Sequence, residues 1–234
     1  MQLALDSATM NPVPIATPQQ DYLLQHLVSF HNALRSSNIT DATSGYPAYI
    51  ESKTWIDQVI LNEFTRNMDA YVRSQYFYKD RDAKINAGPV WDFDLIAGTG
   101  RKSGSMANIP IEGWGYEANA SRMDASSGGG MGVSGTSDWF LILLKDAAFK
   151  SELVARWKSL RGTLLSDAAI AERIDGLTKN LGPAAERNFK KWSILSKAQV
   201  PPFDTPTEAT WTAQVTYMKT WLQKRAAWLD AQWK

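Results

Sequence analysis

The sequence contains no cysteine, which excludes disulfide bridges, thiolate zinc sites and a cysteine nucleophile. It has two histidines, His26 and His31, whose spacing does not place them on one helical face, so we expect structural roles for both. Net charge is also nearly absent: 25 basic and 24 acidic side chains leave no long-range field that would favour nucleic acid. No apolar run approaches the roughly 20 residues that span a bilayer. We therefore expect neither a nucleic-acid partner nor a membrane span.

Apolar residues at spacings of three and four predict helices over most of the chain. The expected helices cover residues 19–35, 52–64, 139–145, 149–160, 167–181 and 183–192, and a long last helix follows Thr207. Pro18 suits the first position of the first helix, while Ser166 and Thr207 are predicted N-caps. The ten tryptophans mostly fall at helical spacing, which favours packing roles, although some could form a carbohydrate-stacking surface.

Residues 74–91 predict a β-hairpin. An aromatic, alternating segment (74–78) is followed by a charged turn (79–83) and a returning strand (84–91). Pro89 has no N–H, so the second strand should leave the ladder and let Asp92 and Asp94 project from a loop. In an extended Asp-Phe-Asp both carboxylates share a face and repel each other unless a cation lies between them. With Asp69 at the start of the hairpin, three acids are expected near one point.

Residues 98–138 hold most of the glycines and many serines, so we expect a mobile loop or lid there rather than core. The glycine spacing matches no phosphate-binding motif. Residues 1–18 are expected to be a linker or disordered, and residues 19–234 one lobe. Asn62, Glu63, Arg66 and Asn67, in the last turn of the second helix, could be only a solvated helix end or part of the site.

The fold class expected is α+β, mostly helical, with a small antiparallel hairpin and a C-terminal helical bundle. Tyr76 and Tyr78 should lie on the strand face opposite Phe77. The predicted core residues are Leu27, Phe30, Ile56, Ile60, Phe77, Val90, Leu143, Phe149, Trp157 and Trp192.

Several segments together resemble the CotH kinase family of atypical protein kinases. They are Leu61-Asn62-Glu63, Asn67-Met68-Asp69, residues 74–80, residues 88–94 with Gly-Pro before Trp-Asp-Phe-Asp, Trp139-Phe140, Arg156-Trp157, Arg187-Asn188, Trp221-Leu222 and Arg225. The resemblance covers roughly residues 18–233 and implies a kinase-like C-terminal lobe. It implies phosphoryl transfer from ATP, with Mg²⁺ or Mn²⁺, to Ser or Thr of coat or surface proteins.

By this resemblance Asp69 is the catalytic aspartate and Asp92 a metal ligand, with Asp94 a second ligand or a supporting acid. Ser74 stands where ordinary kinases carry a metal-binding asparagine. Family members also have an N-terminal lobe with the lysine that holds the ATP phosphates. Nothing before Gln19 matches it, so we expect that lobe to be a missing partner. The family's setting implies the spore surface, the cell envelope or secretion.

Two other hypotheses remain open at this point. The chain could be a non-catalytic surface or adhesion module that uses the same fold to bind protein or glycan. Alternatively, the aspartates could be structural, with Asp92 paired to Arg73 or Arg81. An Asp92→Asn variant separates these readings, because only the kinase requires that carboxylate for function.

Overall fold

The structure is a computed structural model that describes residues 17–104, 107–123, 138–196, 203–204 and 207–234, with the backbone alone for 121–123. The chain forms two compact units, Met1–Ile50 and Glu51–Lys234. The predicted linker lies outside the described residues apart from Thr17 and Pro18, which begin the first helix. No helix among the described residues is long and apolar enough to cross a membrane.

The first unit contains helix α1 (Thr17–Ala33), a polar connection and a short 3-10 helix (Tyr46–Ala48). The helix forms where the apolar stripe predicts it, shifted by two residues at each end. Phe30 is buried as expected, whereas Leu27 is 37% exposed and does not belong to the core. The ring of His26 packs edge-on against Tyr49, with 5.5 Å between centroids.

The second unit is mostly helical with one two-stranded antiparallel sheet, which confirms the predicted α+β class. Its elements are α2 (Ser52–Thr65), β1 (Gln75–Tyr78), β2 (Asn86–Val90), α3 (Gly115–Met123), α4 (Trp139–Leu143), α5 (Ala147–Arg161), α6 (Asp167–Thr178), α7 (Gly182–Lys191) and α8 (Trp211–Gln232).

Two predictions about these elements are wrong. Helix α3 lies inside the stretch expected to be a loop, while Gly128 to Gly130 fall outside the described residues. Helix α8 is capped by Thr210, whose hydroxyl accepts the Ala213 N–H at 3.1 Å, and not by Thr207. The Ser166 cap is confirmed, since its hydroxyl accepts the Ala169 N–H at 3.2 Å.

Helix α2 is the centre of the second unit and packs against β2, α5 and α8. Its buried stripe includes Trp55, which stacks on Phe77 at 4.8 Å and lies 4.9 Å from Phe140 between ring centroids. The Trp55 indole N–H also donates to the Ile85 carbonyl at 3.0 Å. These contacts fix the hairpin against α2, because an isolated two-stranded sheet is at best marginally stable.

Burial confirms most of the predicted core. Ile56, Ile60, Leu143, Phe149 and Trp157 are buried. The exceptions are Phe77, Val90 and Trp192, which are 36%, 55% and 57% exposed. Phe77 keeps this exposure although its ring stacks on Trp55, and Trp192 follows the last residue of α7.

Burial does not alternate along β1 as expected, although Phe77 packs on Trp55 and Tyr76 packs on Trp91. Tyr76 is half-buried, while its neighbours Phe77 and Tyr78 are both exposed. The pairing is irregular between Gln75 and Phe77, and such a bulge interrupts the two-residue period of side-chain direction.

Candidate active site

The hairpin register brings two of the predicted site residues together. Gln75 at the start of β1 pairs with Val90 at the end of β2, so the residues just outside this pair also face each other. The Ser74 hydroxyl donates to Asp92 Oδ2 at 3.2 Å. Both side chains lie at the open end of the hairpin, where Asp92 is exposed.

The loop that carries Asp69 runs alongside the segment that carries Asp92 and Asp94. We call residues 66–74 the Asp69 loop and residues 91–97 the Asp92 segment. The Met68 N–H donates to the Leu95 carbonyl at 3.2 Å, and the Ala97 N–H donates to the Thr65 carbonyl at 2.9 Å. With the Ser74 contact, two hydrogen bonds join the two segments and a third joins the Asp92 segment to the last residue of α2, all in antiparallel order. Half-buried Asp69 lies between Met68 and Ser74 in the chain.

The two acids of the Asp92 segment face solvent and lack ion-pair partners in the described parts of the chain. Asp92 and Asp94 are exposed and Phe93 is half-buried, as an alternating segment predicts. The backbone is not a regular strand, however, because Asp92 has a φ of 61°. The hypothesis that Asp92 pairs with Arg73 or Arg81 is not supported, since Asp92 accepts from Ser74 instead.

The backbone around these residues is unusually rich in left-handed conformations. Of the seven described non-glycine residues with positive φ, five belong to the two segments: Arg66, Tyr71, Ser74, Asp92 and Ala97. Each such residue costs roughly 1–3 kcal/mol and persists only where the surrounding contacts impose it. Strain of this kind concentrates at functional sites, which favours a chemical role for this pair of segments.

Below the Asp69 loop lies a fully buried carboxylate, Glu63, at the end of α2. Its side chain accepts the Tyr71 hydroxyl at 2.8 Å and the backbone N–H groups of Gly115 and Tyr116 at 2.7 and 3.0 Å. Arg225 of α8 forms the ion pair, with Nη2 3.4 Å from Glu63 Oε2, and both side chains are 0% exposed. We call these five residues the Glu63 hub.

Two buried arginines extend this network. Arg225 donates to the carbonyls of Glu63, Ile111 and Gly113, and its guanidinium lies 4.4 Å from the ring centroid of Trp228. Arg66 donates to the carbonyls of Ala107, Pro110 and Glu112. The two arginines therefore hold residues 107–113 in place through backbone carbonyls.

Burial changes the proton affinity of the hub. It lowers the pKa of Arg225 to about 10, although the Glu63 carboxylate acts in the opposite direction. Burial, followed by the negative charge of Glu63, raises the pKa of Tyr71 well above its ordinary value. Tyr71 is thus a protonated donor at neutral pH. The reading of this helix end as solvated is wrong, because Asn62, Glu63, Arg66 and Asn67 are all buried.

Asparagines fix the backbone on both sides of Asp69. The Asn119 amide nitrogen on α3 donates to the carbonyls of Met68 and Ala70 at 3.2 and 3.1 Å. The Asn67 side-chain oxygen accepts the Asp69 N–H at 3.1 Å. Sequence reasoning missed Asn119 and the partner of Glu63. Only the resemblance drew attention to Arg225, and it assigned no role.

The oxygen atoms at the end of the hairpin suit a hard metal cation that also binds phosphate oxygens. Asp92, Asp94 and Ser74 supply carboxylate and hydroxyl oxygens, the ligands that Mg²⁺ and Mn²⁺ prefer. Within the described residues no group of three or more His, Cys, Asp or Glu could hold a metal by itself. Mg²⁺ in phosphoryl-transfer sites commonly uses one or two carboxylates plus substrate phosphates and water, so the residues fit that kind of site.

A separate cleft lies along α8. It has a volume of about 730 Å³ and is lined by Ile109, Tyr217 and Trp221 among others, and none of Asp69, Ser74, Asp92 or Asp94 lines it. Its wall touches the chain just after the Asp92 segment, since a side chain added at Gly98 would lie 2.7 Å from the Tyr217 hydroxyl. The candidate site is therefore defined by the two acidic segments and not by this cleft.

Fold and site together define a mostly helical α+β protein with an open, acidic, oxygen-donor site at the end of a hairpin. The family model described as CotH kinase protein matches residues 9–229, nearly the whole chain, and the chain belongs to this family. Comparison with curated proteins and with solved structures gives no match.

Proposed function

We propose that this chain is the catalytic-loop and metal-binding half of a CotH-like protein kinase, which transfers phosphate from ATP to Ser or Thr hydroxyls of coat or surface proteins. Membership of the CotH kinase family supports the proposal. The observation that carries it is the Ser74–Asp92 hydrogen bond across the hairpin, in a site where the Asp69 loop runs along the Asp92 segment.

In this proposal each residue has a distinct role. Asp92 and Ser74 would hold Mg²⁺ or Mn²⁺, with Asp94 as a further ligand or a supporting acid. The metal supplies positive charge that neutralises the ATP phosphates. Asp69 orients the acceptor hydroxyl and accepts its proton, which requires a carboxylate on a backbone held in place. The hydrogen bond that the Asp69 N–H donates to the Asn67 side-chain oxygen meets that requirement.

The proposal extends to the kinase-like lobe and its partners. The second unit would act as the C-terminal lobe, and an N-terminal lobe would supply the lysine that holds the phosphates. The protein substrate would bind beside Asp69. The family's setting favours the spore surface, the cell envelope or secretion. Two further observations favour a catalytic site over a merely acidic surface: the left-handed backbone of Ser74 and Asp92, and the buried hub below Asp69.

A phosphotransfer assay tests this proposal. The chain, joined to the N-terminal lobe that the proposal requires, is incubated with labelled ATP, Mn²⁺ and dephosphorylated casein as a generic hydroxyl acceptor, beside Asp69→Asn. We expect label in the acceptor, and a kcat for the variant lower by about 10²–10⁴-fold, because the proton acceptor is lost. The Asp80→Asn variant is the matched control, since Asp80 is an exposed acid at the far turn of the same hairpin. Equal transfer by Asp69→Asn and wild type would refute the role of Asp69.

One observation favours a second candidate, a non-catalytic module that binds protein or glycan. Tyr78 and Trp91 are 50% and 58% exposed on the hairpin, and aromatic rings exposed in this way suit both kinds of ligand. Trp91 packs edge-on against Tyr76, which fixes its orientation. This candidate predicts that binding is abolished in Trp91→Ala and unchanged in Asp92→Asn, the reverse of what the kinase predicts for phosphotransfer.

A further inference from the structure

We infer that Asn119 is a positioning residue that holds the Asp69 loop in its working conformation; its catalytic consequence rests on the proposed function. The side chain is 1% exposed. Its amide nitrogen donates to the Met68 carbonyl at 3.2 Å and to the Ala70 carbonyl at 3.1 Å, one on each side of Asp69 in the chain.

The chemistry of the contact requires a carboxamide. One NH₂ group carries two hydrogens, so it can donate to both carbonyls at once. An aspartate at this position would present an oxygen to two carbonyl oxygens, and a smaller apolar residue would remove the Asn119 donor from both buried carbonyls. Each buried hydrogen bond contributes about 0.5–1.5 kcal/mol, so both changes should loosen the loop.

The two carbonyls define how the loop presents Asp69. The Met68 carbonyl belongs to the peptide group just before Asp69, and the Ala70 carbonyl belongs to the peptide group that leads into Tyr71, which has a φ of 66°. The Asp69 carbonyl accepts the Val72 and Arg73 N–H groups at 3.1 and 2.9 Å. Asn119 thus holds the 70–71 peptide group and adds a second hydrogen bond to the 68–69 peptide group, whose N–H donates to Asn67 within the loop.

The position of Asn119 is set by the Glu63 hub. The first N–H groups of α3, from Gly115 and Tyr116, point at the Glu63 carboxylate, which is favourable at a helix N-terminus. Gly115 permits this approach, because an added side chain would lie 3.1 Å from Glu63 Oε1. Asn119 is one turn further on the same face of the helix. The carboxylate that anchors α3 therefore also directs Asn119 to the loop.

The test compares Asn119→Asp and Asn119→Ala with Glu117→Gln in the full chain. Glu117 is an exposed residue of the same helix and serves as the matched control. Hydrogen exchange is followed at the amides of Ala70, Val72 and Arg73, all of which are bonded within the loop. Mn²⁺ affinity and the kcat and KM for ATP are measured on the same preparations.

We expect the hydrogens of these three amides to exchange with solvent at least about tenfold faster in both Asn119 variants, while the α2 amides keep their protection. Mn²⁺ affinity and KM should change far less than kcat, which should fall at least tenfold, because Asp92 and Asp94 lie outside the Asp69 loop. Glu117→Gln should change none of these quantities.

Unchanged exchange in both Asn119 variants would overturn the inference, whatever their activity. Faster exchange to the same degree in α2 would also overturn it, since Asn119 would then be a general packing residue. If the wild-type chain with ATP and Mn²⁺ transfers no phosphate, the proposed function fails separately, and the exchange data still decide whether Asn119 holds the loop.

Discussion

Glu63→Gln is the substitution that most directly tests how the site is held together. The Glu63 carboxylate accepts from a tyrosine, two backbone N–H groups and Arg225. Glutamine keeps the shape but removes the charge, and it places an NH₂ group where one of the accepting oxygens was. Arg225 is 0% exposed, so water cannot solvate its guanidinium once the negative charge of Glu63 is removed.

The expected cost follows from that burial. Removing one partner of a buried ion pair costs about 3–5 kcal/mol, because the other charge stays buried without compensation. Domains are stable by roughly 5–15 kcal/mol, so this is a large share of the total. For a chain of this size each kcal/mol lowers Tm by roughly 2–4 °C, so Tm should fall by roughly 6–20 °C.

Asp57→Asn is the matched control. Asp57 also lies on α2 and also pairs with an arginine of a later helix, Arg156 at 2.8 Å, but the two side chains are 48% and 46% exposed. Exposed pairs contribute at most about 1 kcal/mol. Urea unfolding followed by circular dichroism gives both free energies of unfolding. If Glu63→Gln loses no more stability than Asp57→Asn, the hub does not hold the fold as argued.

Two further predictions concern the same region. The raised pKa of Tyr71 means that the folded state keeps the phenol proton above pH 10, where the unfolded chain loses it. The stability advantage of wild type over Tyr71→Phe is therefore complete below pH 10 and shrinks above it. Urea unfolding between pH 8 and 11 measures this advantage. A difference in free energy of unfolding that stays constant over this range would contradict the prediction. Gly100→Ala would place a methyl group 2.0 Å from Asn108 Oδ1 at a φ of 147° and should cost about 2 kcal/mol or more. Gly104→Ala, also at positive φ but in open space, should cost clearly less in thermal unfolding.

Local patterns in the sequence predicted much of the fold and part of the site. The helices follow from apolar spacing, and the hairpin follows from its alternating strands and charged turn. The proximity of Ser74 and Asp92 follows from the hairpin register, because both residues flank one short ribbon. Each of these features depends on residues close together in the chain, so a pattern within a few residues is enough to predict it.

Features set by distant partners could not be predicted. Glu63 and Arg225 are 162 residues apart, and nothing in either segment identifies the other. Helix α3 contains glycine, asparagine and serine, which predict a loop. It forms because a carboxylate from α2 accepts the N–H groups of its first turn. Val90 was predicted to be buried from its place in a strand, yet it is 55% exposed.

Binding of Mn²⁺ in the presence of ATP tests the central claim most directly. Calorimetric titration is made with the wild-type chain, Asp92→Asn and the Asp80→Asn control, each shown to be folded. We expect metal-dependent nucleotide binding to wild type and control. In Asp92→Asn the affinity should fall by about tenfold or more, because that carboxylate is the principal protein ligand. Equal affinities for wild type and Asp92→Asn, or no binding by the folded wild-type chain, would contradict the claim that the hairpin end is a metal and nucleotide site.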